Sequence, residues 1–403
     1  MTLPPASVIV VSRHRAAELA RCLLALAQQD HPQIEVIVVA DPAGIGAAKA
    51  TGLPLKLLPF DEANISAARN LGLSVAAGEM VAFIDDDAVA EPTWLSRLCA
   101  ALARPDVVAA TGFVRGRNGI SFQWKACEVD ALGLDHPLPD HAATYPGTPA
   151  RAVKTQGTNC AFRRAALLSI GGFDPALRFY LDEADVNLRL AGHGLTAVVP
   201  DAQVHHGFAA SVRRRADRVP TDLHEIAASI ALFLRRHAPE ALEAETIPAI
   251  EAQRRRLADL RRARRISEPE AERLAASLAA GWDDGMARPL SPLAALVPTV
   301  PGFMALPETG PRRGAVISGR IWQRAALMKQ AQSARAQGRV VTVICLAPSP
   351  RAHRVAFTDH GIWLQTGGLF GWSTREGPRL RLAPFTRRIA EETARIAPLR
   401  PVL

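Results

Sequence analysis

The first 110 residues of this 403-residue chain predict an α/β fold, a mostly parallel sheet flanked by helices. Three observations lead there. The runs SVIVV at 7–11, IEVIVVAD at 34–41 and MVAFI at 80–84 are continuously apolar and β-branched, as strands covered on both faces are. Between them lie stretches with apolar residues at helical spacing, joined by short connections, which is the pattern of βαβ units. The run at 80–84 then ends in three consecutive acids, Asp85, Asp86 and Asp87, at the edge where open α/β sheets bind ligands.

Each element follows in order. The strand at 7–11 leads to a helix over 18–29, with Leu19, Cys22, Leu23 and Leu26 on one face. The second strand, 34–41, runs into a turn through Gly44 and Gly46. A short strand at 55–60 and a helix over 65–77 precede the fourth strand at 80–84. A helix over 91–103, with Pro92 in its first turn, and a strand at 107–112 continue the pattern. Residues 114–150 are irregular and turn-rich, which predicts a loop over the sheet edge. A strand at 158–162, a short helix at 164–169, a helix that stops before Gly192 and a strand at 195–199 closed by Pro200 complete this half. Beyond residue 210 a helix over 222–237 and a charged helical stretch over 240–280 are followed by a Pro-rich connector. The last part reads as a helix over 321–337, a strand at 340–346, a hairpin around 359–361 and a helix near 387–396.

Composition bounds the function. With 48% hydrophobic residues the chain can bury one large core and a second, smaller one. Five scattered cysteines without a CxxC pair suit a reducing compartment and exclude a disulfide framework or a cysteine zinc site. The N-terminal residues enter a strand directly, with no pattern of a signal peptide, and no apolar window is long enough to span a bilayer. The charge is uneven: residues 1–209 hold 17 basic against 21 acidic side chains, and residues 210–403 hold 31 against 18. The acidic half carries the candidate chemistry; the basic half is suited to an anionic partner.

Three adjacent acids at a strand end repel one another and lose hydration unless a cation sits among them. Hard divalent ions such as Mg²⁺ or Mn²⁺ take oxygen ligands and share their coordination with substrate phosphates. The alternative is a helix N-cap with solvated acids ahead of Glu91 and Pro92.

Six stretches in order, SVIVVSRHR, EVIVVAD, NISAARNLGLSVAAGEMVAFIDDD, GTNCAFRRAALLSIGGFD, YLDEADVNLRL and PDAQVHH, resemble the inverting family-two glycosyltransferases over about residues 6–209. The resemblance implies the GT-A fold, a nucleoside-diphosphate sugar as donor, and Mn²⁺ or Mg²⁺ at a DxD-type motif. It places Ser12, Asp41, Arg69, Asp85 and Asp86 with the donor nucleotide, and Asp87 with His206 on the metal; His205 is the alternative in register. Thr158 and Asn159 line the donor-sugar pocket. Asp41 read without the resemblance is a turn former before Pro42, and Arg69 a solvated helix-face charge. The family's base falls in LDEAD, where the usual Glu-Asp order is reversed, so Glu183 or Asp182 takes the proton from the acceptor hydroxyl. Asp185 reads as a helix N-terminal charge, Trp94 as a core anchor, and Trp124 as a side chain that can stack on a sugar.

The remaining chain divides into a basic helical extension at 210–288, the connector at 289–314 and a small α+β accessory module at 315–403. The helix over 222–237, with Leu223, Ile226, Ile230 and Phe233 on one face and Arg235 and Arg236 at its end, either lies on an anionic membrane or packs on the catalytic domain. No nucleic-acid module accompanies the arginines. The expected protein is a cytoplasmic, membrane-peripheral glycosyltransferase acting on a glycan or lipid-linked acceptor. Two alternatives stand beside it. One is a glycan- or membrane-binding protein on a GT-A scaffold. The other is a nucleotidyltransferase, although SRHRAAE lacks the glycines of a triphosphate-gripping loop.

Overall fold

A computed structural model describes residues 3–207, 209–299 and 302–401. The chain starts with β1 (Ala6–Ser12), α1 (Ala16–Leu26), β2 (Ile34–Ala40), α2 (Pro42–Ala50), β3 (Lys56–Pro59), α3 (Ile65–Ser74) and β4 (Met80–Asp85). Strand β5 (Ala88–Ala90), α4 (Trp94–Leu102) and β6 (Val107–Arg115) follow. Next come five short strands, β7 (Phe122–Trp124), β8 (Cys127–Asp130), β9 (Asp135–Pro137), β10 (Ala143–Pro146) and β11 (Arg151–Val153). Strand β12 (Cys160–Arg163), α5 (Arg164–Ser169), α6 (Asp182–Leu190) and β13 (Leu195–His206) complete the first half.

The large sheet runs β10-β13-β6-β12-β4-β1-β2-β3. Its β3-β2-β1-β4 portion is parallel, and β12 enters antiparallel between β4 and β6. Residues 8–10, 36–39 and 81–83 are buried on both faces, which explains their uninterrupted apolar pattern. Phe83, Phe162 and Phe173 meet edge-to-face on one side of the sheet.

Three expectations need correction. The Gly44–Gly46 turn is helix α2. Asp41 caps it through a bond from the Gly44 backbone N–H (3.3 Å), and Pro42 occupies its first position, where a missing N–H costs nothing. Residues 114–150 are not one loop: β8, β9 and β11 form a three-stranded sheet of their own, from strands too short to show a period. Strand β13 does not stop at Pro200. A bulge between Val199 and Gln203 absorbs the proline, and pairing resumes as far as His206.

Helices α7 (His224–His237), α8 (Leu242–Arg262) and α9 (Glu268–Ala287) pack on one another. Gly281 and Gly285 of α9 lie against the His224 and Ala228 carbonyls, where any Cβ would collide. The apolar face of α7 is spent on α9 and, through Phe233, on α6 next to Leu181, Ala184 and Leu188. It therefore packs inward and has no stripe left for lipid. The last portion forms β14 (Gly314–Arg320), α10 (Arg324–Ala336), β15 (Val340–Ala347), β16 (Arg354–Phe357), β17 (Trp363–Gly368) and α11 (Phe385–Ile396). Its four-stranded sheet, ordered β14-β15-β17-β16, docks on the first half through Ala25, Val89, Ile120, Val355, Phe357 and Trp363. Among the described residues no helix is long and apolar enough to cross a membrane.

Candidate active site

The three acids sit where β4 ends and β5 begins, and their environments set them apart. Asp85 is the most open, its side chain 32% exposed, with carboxylate oxygens 3.6 Å from Arg69 Nη2 and 3.9 Å from His206 Nε2. Asp86 turns inward. It accepts from the Ser12 hydroxyl (2.8 Å) and from Arg15 Nη1 (2.9 Å), and burial together with the neighbouring acids pushes its carboxyl up to about 7 against the pull of Arg15. Asp87 accepts from the Ala209 backbone N–H (2.7 Å) through Oδ2, and its Oδ1 lies 3.2 Å from His206 Nε2. Burial works against its charge, but His206, Arg15 and the Ala209 amide outweigh it and hold the carboxyl at about 2.

Asp85, Asp87 and His206 thus converge, with one ligand atom from each within 4.8 Å of the others. Pairing of Ala88 with His206 across β5 and β13, and the bond from the Gly207 N–H to the Asp87 carbonyl (2.7 Å), place them there. Asp87 Oδ1 is buried, with His206 Nε2 as its ion-pair partner. The His206 ring turns Nδ1 towards the Gln123 amide oxygen (3.3 Å) and presents Nε2 to both carboxylates. Two carboxylates and an imidazole nitrogen aimed at one point fit a divalent cation. Two carboxylates and one imidazole form a donor set that suits Mn²⁺.

Beside this cluster lies a second one. Arg69 of α3 is buried over the faces of Phe83 and Phe173 and bonds Asp182 and the Gly157 carbonyl (3.2 Å) while approaching Asp85. It is not the solvated helix-face charge of the alternative reading. Tyr180 and Leu181 both have left-handed backbone, φ 77° and 62°, an arrangement that costs non-glycine residues energy and marks functional turns. The turn starts α6 at Asp182, so Asp182 and Glu183 share its first turn. Burial and the adjacent Glu183 charge raise Asp182 well above the carboxylate range. Glu183 also resists ionisation on burial grounds, yet Arg69, a hydrogen bond from Asp182 and Lys154 hold it low. The two carboxyls are thus pushed in opposite directions, and Arg69, which bonds Asp182 directly, also favours the charge on Glu183.

Other expected site residues are committed elsewhere. Asn159 is fully buried. Its Nδ2 donates to the Phe113 and Ala202 carbonyls (3.0 and 2.9 Å) and its Oδ1 accepts from Trp94 Nε1 (2.8 Å), so it stitches the sheet at the β13 bulge and has nothing left for a sugar. Asp41 is spent on the α2 cap and on His14, whose N–H and Nδ1 lie at 3.2 and 3.4 Å. Ser12 is spent on Asp86. Thr158 stays at the site, its hydroxyl facing the Asp85 N–H at 3.4 Å. Asp185 is fully buried among Arg189, Arg236 and His237, which ties α6 to α7. His205 binds Glu91 (2.8 Å), which leaves His206 as the histidine at the acids. Trp94 is in the core, and Trp124 lies against the His206 ring at 5.5 Å. Arg15, absent from the sequence reading, holds two of the three acids; its signal was the SRHR that follows β1.

Known glycan-biosynthesis proteins are similar to parts of this chain. The O-antigen biosynthesis protein RfbC of Myxococcus xanthus is 30% identical over 237 residues, which cover 54% of this chain and 18% of that protein. The succinoglycan biosynthesis protein ExoM of Rhizobium meliloti (strain 1021) is 35% identical over 122 residues, 28% of this chain and 39% of that protein. The chain thus spans between about a fifth and two-fifths of the length of these relatives. Among solved structures, the mannosyltransferase PcManGT of Pyrobaculum calidifontis in complex with GDP-Man and Mn²⁺ aligns with 70% of this chain and 87% of that one, at 20% identity and a TM-score of 0.43. Residues 7–171 match the family model described as Glycosyl transferase family 2, so this part of the chain carries a domain of that family.

Proposed function

We propose that residues 1–209 form the catalytic unit of a metal-dependent, inverting glycosyltransferase. It would move a sugar from a nucleoside-diphosphate donor to a hydroxyl of a glycan or lipid-linked acceptor, with the remaining chain as support. The observation that carries this reading is the convergence of Asp85, Asp87 and His206 Nε2 at the end of β4. A divalent ion held there would offset the charge that develops on a departing diphosphate. Glu183, kept ionised by Arg69 and Lys154, accepts the proton of the attacking hydroxyl. Asp182, bonded to Arg69 and hydrogen-bonded to Glu183, helps keep that carboxylate in place. Arg15 restrains Asp86 and Asp87, so the acids hold their positions without collapsing on one another. The names of RfbC, an O-antigen biosynthesis protein, and ExoM, a succinoglycan biosynthesis protein, support a glycan acceptor.

The test is donor turnover. UDP-, dTDP- and GDP-sugars are incubated with Mn²⁺ and the parent chain, Asp87→Ala or Glu183→Gln, and nucleoside diphosphate release is followed. The reading expects release by the parent with one donor class and a drop of at least about 100-fold in both variants. Equal release by parent and variants, or none by the parent with any donor, would overturn it.

A further inference from the structure

Glu91 sits one residue beyond β5 and four beyond Asp87, and it is fully buried. Its carboxylate is gripped by a residue from the far end of the chain. Arg400 Nε donates to Oε2 (2.7 Å) and Nη2 to Oε1 (2.6 Å), a bidentate fork that closes across 309 positions. The same Oε1 lies 2.8 Å from His205 Nε2, and His205 is the neighbour of His206 on β13. The Arg400 guanidinium stacks 3.8 Å from the centre of the Trp363 ring on β17, and the His205 ring lies 5.0 Å from that same tryptophan. Val89, at the middle of β5, packs with Val355, Phe357 and Trp363 of the C-terminal sheet.

The ladder that presents the acids is short. Strand β5 pairs with β13 at only three positions, Ala88–His206, Val89–His205 and Ala90–Val204. Three pairs do not fix a register to within a fraction of an ångström; packing and polar anchoring behind them must do so. Glu91 anchors the β5 end and His205 the β13 end, and Arg400 with Trp363 holds both. Groups behind a metal's ligands set its affinity in this way, and their loss typically weakens binding by about 10- to 100-fold.

We propose that Arg400 is a positioning residue for the Asp85–Asp87–His206 centre, and that residues 314–401 complete that centre from behind through the Arg400–Glu91–His205 network. This rests on the metal reading given under the proposed function. The chain's C-terminal sheet is then a structural part of the donor site and not an appended binding module.

The test is a titration of the full chain with Mn²⁺ alone, reading free Mn²⁺ by its electron paramagnetic resonance signal. It compares the parent, Arg400→Met, Arg400→Lys, Asp87→Ala and, as a control, Arg387→Ala, which removes an exposed ion pair with Glu391. Circular dichroism and thermal melting of each variant accompany the titration. Arg400→Met should weaken Mn²⁺ binding by at least about tenfold. Arg400→Lys, which keeps the charge without the fork, should fall between it and the parent, and Arg387→Ala should match the parent. If Arg400→Met does not fold, Arg400→Lys decides. Parent-like affinity in the folded Arg400 variants overturns the positioning role and leaves the metal site standing. No binding by the parent overturns the metal site itself, and this role with it.

Discussion

Asn159 offers the sharpest contrast between what the family resemblance implies and what the fold does with a residue. Asn159→Ala removes two donated bonds, to the Phe113 and Ala202 carbonyls, and one accepted from Trp94 Nε1. All three partners are left buried, and an unsatisfied buried polar group costs about 1–3 kcal/mol. The groups are neighbours and can partly relax, so a total of about 3–6 kcal/mol is expected. For a domain of this size that corresponds to a fall in melting temperature of roughly 10 °C or more. The assay pairs thermal unfolding with a titration of nucleoside-diphosphate sugar and Mn²⁺, carried out well below the melting temperature. The structure predicts a large loss of stability with donor affinity changed less than about threefold, since the amide faces the sheet and not a cleft. Parent-like melting with a tenfold or greater loss of donor affinity would refute this and return Asn159 to the sugar pocket.

Other outcomes follow from the charges. Arg69→Gln removes the cation that most favours the ionised form of Glu183, so the acid limb of the pH–rate profile should move to higher pH; an unmoved limb would exclude Glu183 as the base. The same change leaves Asp182 and Asp85 without their buried partner and should cost about 3–5 kcal/mol of stability, measured by denaturant unfolding. His237, Arg189 and Arg236 hold the buried Asp185 at about 2, below its ordinary range near 3.9. Its contribution of about 2.5 kcal/mol is therefore complete above pH 4 to 5 and is lost as pH falls towards 2. Denaturant unfolding of Asp185→Asn should show a correspondingly shallower loss of stability across that window, and an unchanged slope would contradict the assignment.

The parallel half of the sheet was legible because its strands are buried on both faces and write continuous apolar runs. The DDD acids, Arg69, Glu183 and His206 were legible as a set because the motifs fall in order, but their roles depend on contacts that no spacing reveals. Glu183 and Asp182 differ by one position, and the charges that act on them, Arg69 and Lys154, come from distant parts of the chain. Asp41 was expected at the nucleotide, yet Asp-Pro is itself a helix-start signal, and the glycines at 44 and 46 masked it. The extension of β13 past Pro200 was hidden because a bulge, invisible to periodicity, accommodates the proline. The tie between Glu91 and Arg400 joins residues 309 positions apart and left no local trace.

The proposed metal site requires that Asp85, Asp87 and His206 hold one divalent cation together. Anomalous diffraction at the manganese edge, from crystals soaked in Mn²⁺ with a nucleoside diphosphate, tests it most directly. The account predicts one strong peak within coordination distance of an oxygen of each aspartate and of His206 Nε2, and its loss in Asp87→Ala. Density at that position without anomalous signal, or a manganese peak bound elsewhere while these three side chains stay unligated, would contradict it.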